Sequence, residues 1–218
     1  FKNVRIGVPI CEDVWTPDVV ECIAETGGEL LLVPNGSPFE VGKSDMRIHH
    51  AVARVVESGL PLVYLNQIGG QDELVFDGGS FVMNADRNLA WQMPAWREDL
   101  AITHWSRTGN TWQCQQGKTC NIENGLSAIY QAMTVGLRDY VNKNGFPGVI
   151  LGMSGGIDSA ISAAVAVDAL GPERVHCVMM PSPYTSQESL DDAAAAVDML
   201  GVKLDTVPIL SLIHISEP

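Results

Sequence analysis

The chain has 218 residues, of which 46% are hydrophobic and 18% are charged, and its formal net charge is −13. This composition excludes an intrinsically disordered or collagen-like chain. The acidic balance argues against nucleic acid or an anionic membrane as a partner, and no apolar run is long enough to span a bilayer. We therefore expect a core-forming, cytoplasmic protein.

Five cysteines are scattered along the chain, and they are Cys11, Cys22, Cys114, Cys120 and Cys177. An odd, scattered set does not indicate a disulfide framework in a chain of this length, so a reducing compartment fits best. Cys114 and Cys120 lack further ligands at zinc spacing, and we assign them no role.

Apolar runs alternate with helical patterns over the first 65 residues. The predicted elements are a strand at 4–10, a helix at 17–26, a strand at 30–33, a helix at 44–58 and a strand at 62–65. This alternation predicts an α/β layered sheet. Ser44 is the expected cap of the second helix. Its expected buried stripe consists of Ile48, Ala51, Val52, Val55 and Val56.

The pattern then changes to short strands over residues 74–102, separated by turn signals at Asp77-Gly78-Gly79 and Asn84-Ala85-Asp86. Residues 103–119 are polar and lack a period, which is typical of a linker between two units. The predicted divisions are a first domain at 1–103, a linker at 104–120, a second domain at 121–209 and a tail at 210–218.

The α/β alternation restarts after this linker. One face of an amphipathic helix is predicted from Ile122, Leu126, Ile129, Tyr130, Met133, Leu137, Tyr140 and Val141. A strand at 149–153, a helix at 157–170, a strand at 174–180, a helix at 187–200 and a strand at 202–209 follow. That succession predicts a doubly wound parallel sheet.

Cys11 follows the first predicted strand, within the run Ile10-Cys11-Glu12-Asp13-Val14-Trp15. The carboxyl end of a strand is where α/β proteins expose reacting groups, so Cys11 is a candidate nucleophile. Its position alone leaves open that Cys11 is an ordinary small buried residue.

The second candidate site is the run from Gly148 to Ala160, where an apolar strand enters a glycine-rich turn and then a helix. Backbone amides and serine hydroxyls in such a turn can hold phosphate. The candidate ATP-binding residues are Gly152, Met153, Ser154, Gly155, Gly156, Ile157, Asp158 and Ser159. Asp158 is the candidate Mg²⁺ ligand. The alternative is a tight turn whose glycines serve packing alone.

This loop resembles the pyrophosphate loop of N-type ATP pyrophosphatases, which adenylate a carboxylate or carbonyl and release pyrophosphate. The run around Cys11, together with residues 35–39 and 66–78, resembles the glutaminase half of the nitrilase superfamily as fused to bacterial NAD synthetases. GMP and asparagine synthetases carry other glutaminases. The order of the two motifs therefore resembles the glutamine-dependent NAD synthetases over nearly all of residues 4–209.

The resemblance implies the C-terminal part of a nitrilase-like α-β-β-α sandwich, followed by the first half of a doubly wound ATP pyrophosphatase domain. It implies that Cys11 attacks glutamine and that Ser37 and Lys43 bind this substrate; a turn residue and a solvated lysine are the alternatives. ATP and Mg²⁺ then adenylate deamido-NAD, and ammonia displaces AMP to give NAD. We expect a homo-oligomer that encloses both sites.

The resemblance also predicts what lies outside the chain. The family's catalytic Glu and Lys are expected before Phe1, and most deamido-NAD contacts beyond Ile209. Residues 210–218 resemble a translated sequencing adapter, with a genuine apolar strand as the alternative. A stand-alone amidase, a fragment that binds ATP without turnover and another glutamine-dependent adenylating amidotransferase are the competing hypotheses.

Overall fold

The computed structural model describes residues 1–209, and the chain forms two compact units. The first unit is Phe1–Ala132, and the second begins at Met133. The predicted tail at 210–218 lies outside the described residues. Among the described residues, no helix combines the length and apolar character that crossing a membrane requires.

The first unit contains a five-stranded sheet and two hairpins. Its elements are β1 (Ile6–Gly7), α1 (Asp18–Glu25), β2 (Leu30–Asn35), α2 (Lys43–Ser58), β3 (Leu62–Asn66), β4 (Ile68–Gln71), β5 (Leu74–Asp77), β6 (Phe81–Met83), β7 (Leu89–Gln92), β8 (Trp105–Thr108) and β9 (Thr111–Cys114). The main sheet has the order β1-β2-β3-β6-β7, with β1, β2 and β3 parallel and the last two strands antiparallel. Strands β4 and β5 form one hairpin, and β8 and β9 form the other.

The larger core cluster of this unit lies on one face of the main sheet. Alternate strand residues such as Leu31 and Val33 of β2 point to the same face, because side chains in a strand alternate. They pack with Val20, Ala51 and Val55, which α1 and α2 contribute. The predicted α/β layered sheet is confirmed.

Helix α2 corrects two predictions. It begins at Lys43, and its cap is Gly42 with φ +81°, so Ser44 lies inside the first turn and does not cap the helix. A left-handed φ at this position favours glycine over a residue with a Cβ. Val56 is 58% exposed, so it does not belong to the predicted buried stripe.

The segment predicted as a linker is part of the first unit. Residues 105–114 form the β8–β9 hairpin, and the Cys114 backbone N–H donates to Asn84 Oδ1 at 2.8 Å. The Gly117 N–H donates to the Ala90 carbonyl at 2.9 Å. Hydrogen bonds to the backbone fix this polar stretch in place, although its sequence lacks the apolar periodicity that indicates a strand. Its sequence is therefore typical of a linker. The division between the units instead follows Ala132.

The second unit contains a three-stranded parallel sheet of order β10-β11-β12. Its elements are α3 (Leu126–Lys143, which spans the division between units), β10 (Val149–Met153), α4 (Ile157–Leu170), β11 (Val175–Met179), α5 (Gln187–Leu200) and β12 (Lys203–Thr206). The predicted bounds of β10, α4 and α5 are confirmed. Buried Met153, Ala163, Cys177 and Val197 form the centre of the core.

The predicted apolar face of α3 is only partly correct. Ile122 precedes the helix, and Leu126 is 85% exposed. The buried positions are Ala128, Val135 and Val141. Ala128 and Val135 are seven residues apart, which is about two helical turns, so they lie on the same face of α3.

We expect Leu31→Ala to lower the free energy of unfolding of the first unit by about 3 kcal/mol, because Leu31 is fully buried in the sheet core. The matched control Leu65→Ala, at a side chain that is 58% exposed, should cost less than about 1 kcal/mol. All five tryptophans lie in the first unit, so urea unfolding followed by tryptophan fluorescence measures this unit. Equal losses would contradict the assigned core.

Candidate functional site

Cys11 has an unusual backbone conformation. Its φ is +49°, in the left-handed region, and it opens a short 3-10 helix that ends at Val14. The Asp13 carboxylate accepts from the Ile10 N–H at 2.7 Å, and the Asp13 N–H donates to the Ile10 carbonyl at 3.0 Å. A left-handed residue with a Cβ costs about 1 kcal/mol or more. These two hydrogen bonds hold the strained turn, and with it the direction of the thiol.

A cavity of about 290 Å³ lies at the far end of this short helix. Val14 lines it, together with the predicted glutamine-binding residues Ser37 and Lys43. The structure therefore brings Ser37 and Lys43, which are six positions apart in the chain, to one cavity three residues along the chain from Cys11. Their binding roles stay predictions.

Arg47 anchors this cavity from the buried side of α2. It forms an ion pair with Asp77 at 2.7 Å, and each side chain is 7% exposed. Its Nε donates to Ser37 Oγ at 3.1 Å, and its Nη2 donates to the Ser37 carbonyl at 2.9 Å. Asn66 Oδ1 accepts from the Ser37 N–H at 3.0 Å. Ser37 is thus held by a charged network rather than by the turn alone.

The sequence reasoning missed Arg47 and Asp77. One signal was available, because Arg47 lies four residues before Ala51 on the buried face of α2. A charged residue on that face needs a buried partner. Nothing in the sequence pattern identified Asp77, 30 residues away, as that partner.

Lys43 is the first residue of α2, and Glu40 is its partner. The Lys43 ammonium lies 2.5 Å from Glu40 Oε1, with the lysine side chain 13% exposed and the glutamate 64% exposed. A cation is unfavourable at the positive end of a helix, and the neighbouring carboxylate offsets that cost. Lys43 is therefore a cavity residue, unlike the solvated loop lysine considered as the alternative.

Tyr64 closes another wall of the same cavity. Burial raises the pKa of its phenol, and this effect outweighs the lowering by the Arg47 charge and by the Ser37 hydroxyl; the charges of Cys11 and Asp77 raise it further. The phenol is therefore neutral near pH 7 and keeps its proton to donate.

The second candidate site is the turn between β10 and α4. Gly155 has φ +81°, and a Cβ there would collide with the carbonyl oxygen of Ser189. Ser154 Oγ accepts from the Gly156 N–H at 3.3 Å and lies 3.2 Å from Ser159 Oγ. Ser159 Oγ donates to the Gly156 carbonyl at 2.9 Å. Hydroxyls and glycines together fix the shape of this turn.

This turn presents unused donors to solvent. The first N–H groups of an α-helix have no partner within the helix, and α4 begins at Ile157. Such a helix start binds anions, phosphate included. The side chain of Met153 is buried, so of the predicted ATP-binding residues Met153 can contact a ligand only through its backbone.

Asp158 is an exposed carboxylate in the first turn of α4. Its oxygens suit Mg²⁺, which is usually held by one or two carboxylates plus substrate phosphates. Within residues 1–209, no group of three or more His, Cys, Asp or Glu side chains is arranged to hold a metal. Asp158 is the carboxylate that the loop at 152–159 offers to such an ion.

Comparison with known proteins assigns the family. The model of the carbon-nitrogen hydrolase family matches residues 2–112. The chain belongs to the carbon-nitrogen hydrolase family. The NAD synthase model matches residues 129–217, so a nitrilase-like carbon-nitrogen hydrolase domain is followed by a NAD synthase domain. The fold class predicted from the sequence is confirmed.

The chain is similar to proteins named glutamine-dependent NAD(+) synthetase. It is 51% identical to one from Rhodobacter capsulatus over 206 residues, which cover 94% of this chain and 37% of that protein. It is 40% identical to one from Acinetobacter baylyi over 219 residues, covering 98% of this chain and 39% of that protein. The chain thus spans about two fifths of the length of these relatives.

Solved structures show the same similarity. The glutamine-dependent NAD+ synthetase from Acinetobacter baumannii, in complex with ADP, matches with a TM-score of 0.91 at 42% identity and covers 98% of this chain and 40% of that one. The synthetase from Cytophaga hutchinsonii matches with a TM-score of 0.74 at 19% identity, covering 96% of this chain and 39% of that one, and shows the fold alone.

We expect Asp77→Ala to destabilise the first unit by about 3–5 kcal/mol, because it leaves the Arg47 guanidinium buried without a counter-charge. Glu40→Ala removes the acid of an ion pair whose carboxylate is largely exposed and should cost less than about 1 kcal/mol. Urea unfolding followed by tryptophan fluorescence measures both. A similar small cost for the two variants would show that the buried pair is not a structural anchor.

We expect Gly155→Ala to weaken ATP binding at least about tenfold, because the new Cβ displaces the loop from the Ser189 carbonyl. Gly145→Ala is the matched control: Gly145 has φ +69°, but a Cβ there meets nothing within 4 Å. Gly145→Ala places a Cβ on a residue with left-handed φ, which lowers stability by about 1 kcal/mol, but it causes no collision. Calorimetric titration with ATP measures both, and equal affinities would rule out the close approach as the reason for glycine.

Proposed function

We propose that the protein containing this chain amidates deamido-NAD to NAD in an ATP-dependent reaction, with ammonia taken from glutamine. The observation that carries this proposal is the pairing of two sites on one chain. Cys11 lies in the carbon-nitrogen hydrolase domain, three residues along the chain from Val14, which lines a cavity with Ser37 and Lys43, and a phosphate-type loop opens α4 in the NAD synthase domain. The relatives named glutamine-dependent NAD(+) synthetase support the same pairing.

In the first reaction, the Cys11 thiolate attacks the amide carbon of glutamine. The carbon–nitrogen bond breaks, the nitrogen takes a proton and leaves as ammonia, and a thioester forms on Cys11. Water hydrolyses the thioester to glutamate and returns the thiol. Ser37 and Lys43 hold the amino-acid end of glutamine, since a hydroxyl and a cation suit its α-amino and α-carboxylate groups.

In the second reaction, the carboxylate of deamido-NAD attacks the α-phosphorus of ATP, and pyrophosphate leaves. Ammonia then attacks the resulting acyl adenylate and displaces AMP, which gives the amide of NAD. Residues 152–159 hold the phosphates through backbone amides and the Ser154 and Ser159 hydroxyls. Asp158 would hold a Mg²⁺ ion, which would neutralise charge on the phosphates. A related structure that contains ADP supports nucleotide binding by this fold.

We further propose a cytoplasmic homo-oligomer. All five cysteines are free thiols, and two of them, Cys114 and Cys177, are buried, which agrees with a reducing compartment. The acyl adenylate and the ammonia must both be protected from water, and subunit interfaces are one means of enclosing the two sites.

Replacing the thiol separates the two reactions. Cys11→Ala in the full-length protein should reduce glutamine-dependent NAD formation by at least about 10³-fold and leave ammonia-dependent formation unchanged. Cys22→Ala, at an exposed cysteine of α1, should leave both rates unchanged. Steady-state NAD formation with each nitrogen source is the measurement.

Two results would overturn the proposal. If the unsubstituted protein forms no NAD from glutamine or from ammonia while it binds ATP, it is an ATP-binding protein without this turnover. If Cys11→Ala keeps its glutamine-dependent rate, Cys11 is not the nucleophile.

A further inference from the structure

We propose that Glu40 determines substrate specificity in the glutamine site, by binding the α-ammonium group while Lys43 binds the α-carboxylate. This inference rests on the proposed glutaminase function. It assigns to Glu40 a role that neither the sequence motifs nor the family models assign, and it makes the site selective for an α-amino acid over other amides.

The charged groups of Glu40 and Lys43 lie at the same cavity. Glu40 and Lys43 line the same cavity, with the ammonium and Glu40 Oε1 2.5 Å apart. Lys43 is the less exposed of the two, so the cation lies inside the cavity and the carboxylate at its mouth. The short turn that carries Glu40 is held by hydrogen bonds from the Phe39 N–H to the Val75 carbonyl at 2.7 Å and from the Lys43 N–H to the Glu40 carbonyl at 3.1 Å.

The charges around the cavity leave Glu40 as the partner for an ammonium. Within the described residues, Glu40 is the one carboxylate in the lining, which also includes Lys43, Arg47 and His50. The Asp77 carboxylate is engaged by Arg47 at 2.7 Å. Within residues 1–209, an α-ammonium group in this cavity would find no carboxylate in the lining other than Glu40.

A zwitterion exchanges with this ion pair without leaving a charge unpaired. The substrate carboxylate takes the place of Glu40 on Lys43, and the released Glu40 carboxylate pairs with the substrate ammonium. A substrate analogue that has the carboxylate and the amide but no α-amino group also separates Glu40 from Lys43, but it offers Glu40 no cation. Glutamine alone offers Glu40 a charge-assisted hydrogen bond from its ammonium group, so glutamine should be favoured over that acid.

The test compares glutamine with 5-amino-5-oxopentanoate, which keeps the amide and the carboxylate but lacks the α-amino group. Ammonia release by the full-length protein is measured with each substrate. In Glu40→Gln, KM for glutamine should rise about tenfold with kcat within about twofold, and the kcat/KM preference for glutamine over the analogue should fall about tenfold. Glu40→Asp keeps the charge and should retain more of the preference.

Glu57→Gln is the matched control. It disrupts a similar ion pair three residues apart on α2, with Arg54 at 2.8 Å, at a position that does not line this cavity. Its substrate preference should equal that of the unsubstituted protein. An unchanged preference in Glu40→Gln, or a lower KM for glutamine, overturns the inference, because Glu40 would then only compete with substrate for Lys43. If the unsubstituted protein releases no ammonia from glutamine, the proposed function itself fails.

Discussion

The buried ion pair between Arg47 and Asp77 is the interaction on which the first site depends. Taking two charges out of water costs several kcal/mol per ion, and their attraction offsets this only when the remaining donors are also satisfied. Here the guanidinium meets that condition, because it bonds Asp77 at 2.7 Å, Ser37 Oγ at 3.1 Å and the carbonyls of Ser37 and Pro38 at 2.9 and 3.1 Å. One side chain of α2 thereby holds the end of β5 and the turn after β2 together.

That turn leads to the cavity residues Ser37, Glu40 and Lys43, and Cys11 lies three residues along the chain from Val14, which lines the same cavity. Ser37 is held directly by Arg47, and the same stretch of chain leads on to Glu40 and Lys43 at the start of α2. Two hydrogen bonds between Ile10 and Asp13 maintain the left-handed backbone of Cys11. Hydrogen bonds therefore fix both the turn at Ser37 and the turn at Cys11.

The second site uses a different physical means. The chain has a net charge of −13, and the loop that opens α4 contains no lysine or arginine. The groups there that suit an anion are the backbone amides at the start of the helix and two serine hydroxyls 3.2 Å apart. Gly155 is required there because a Cβ would meet the Ser189 carbonyl of α5. The packing of α5 against this loop therefore requires glycine at position 155.

The sequence by itself determined what depends on neighbouring residues. Periodicity and flanking glycines predicted the bounds of β10, α4 and α5, and local motifs singled out Cys11 and the loop at 152–159. Only the tertiary structure decided the rest: that residues 105–114 are a hairpin bonded to Asn84, that Gly42 caps α2, and that Arg47 pairs with Asp77. The physical reason is distance along the chain. A buried charge such as Arg47 is visible in a sequence as a charged residue on an otherwise apolar helix face. Its partner Asp77, 30 residues away, is determined by how the helix and the strand pack.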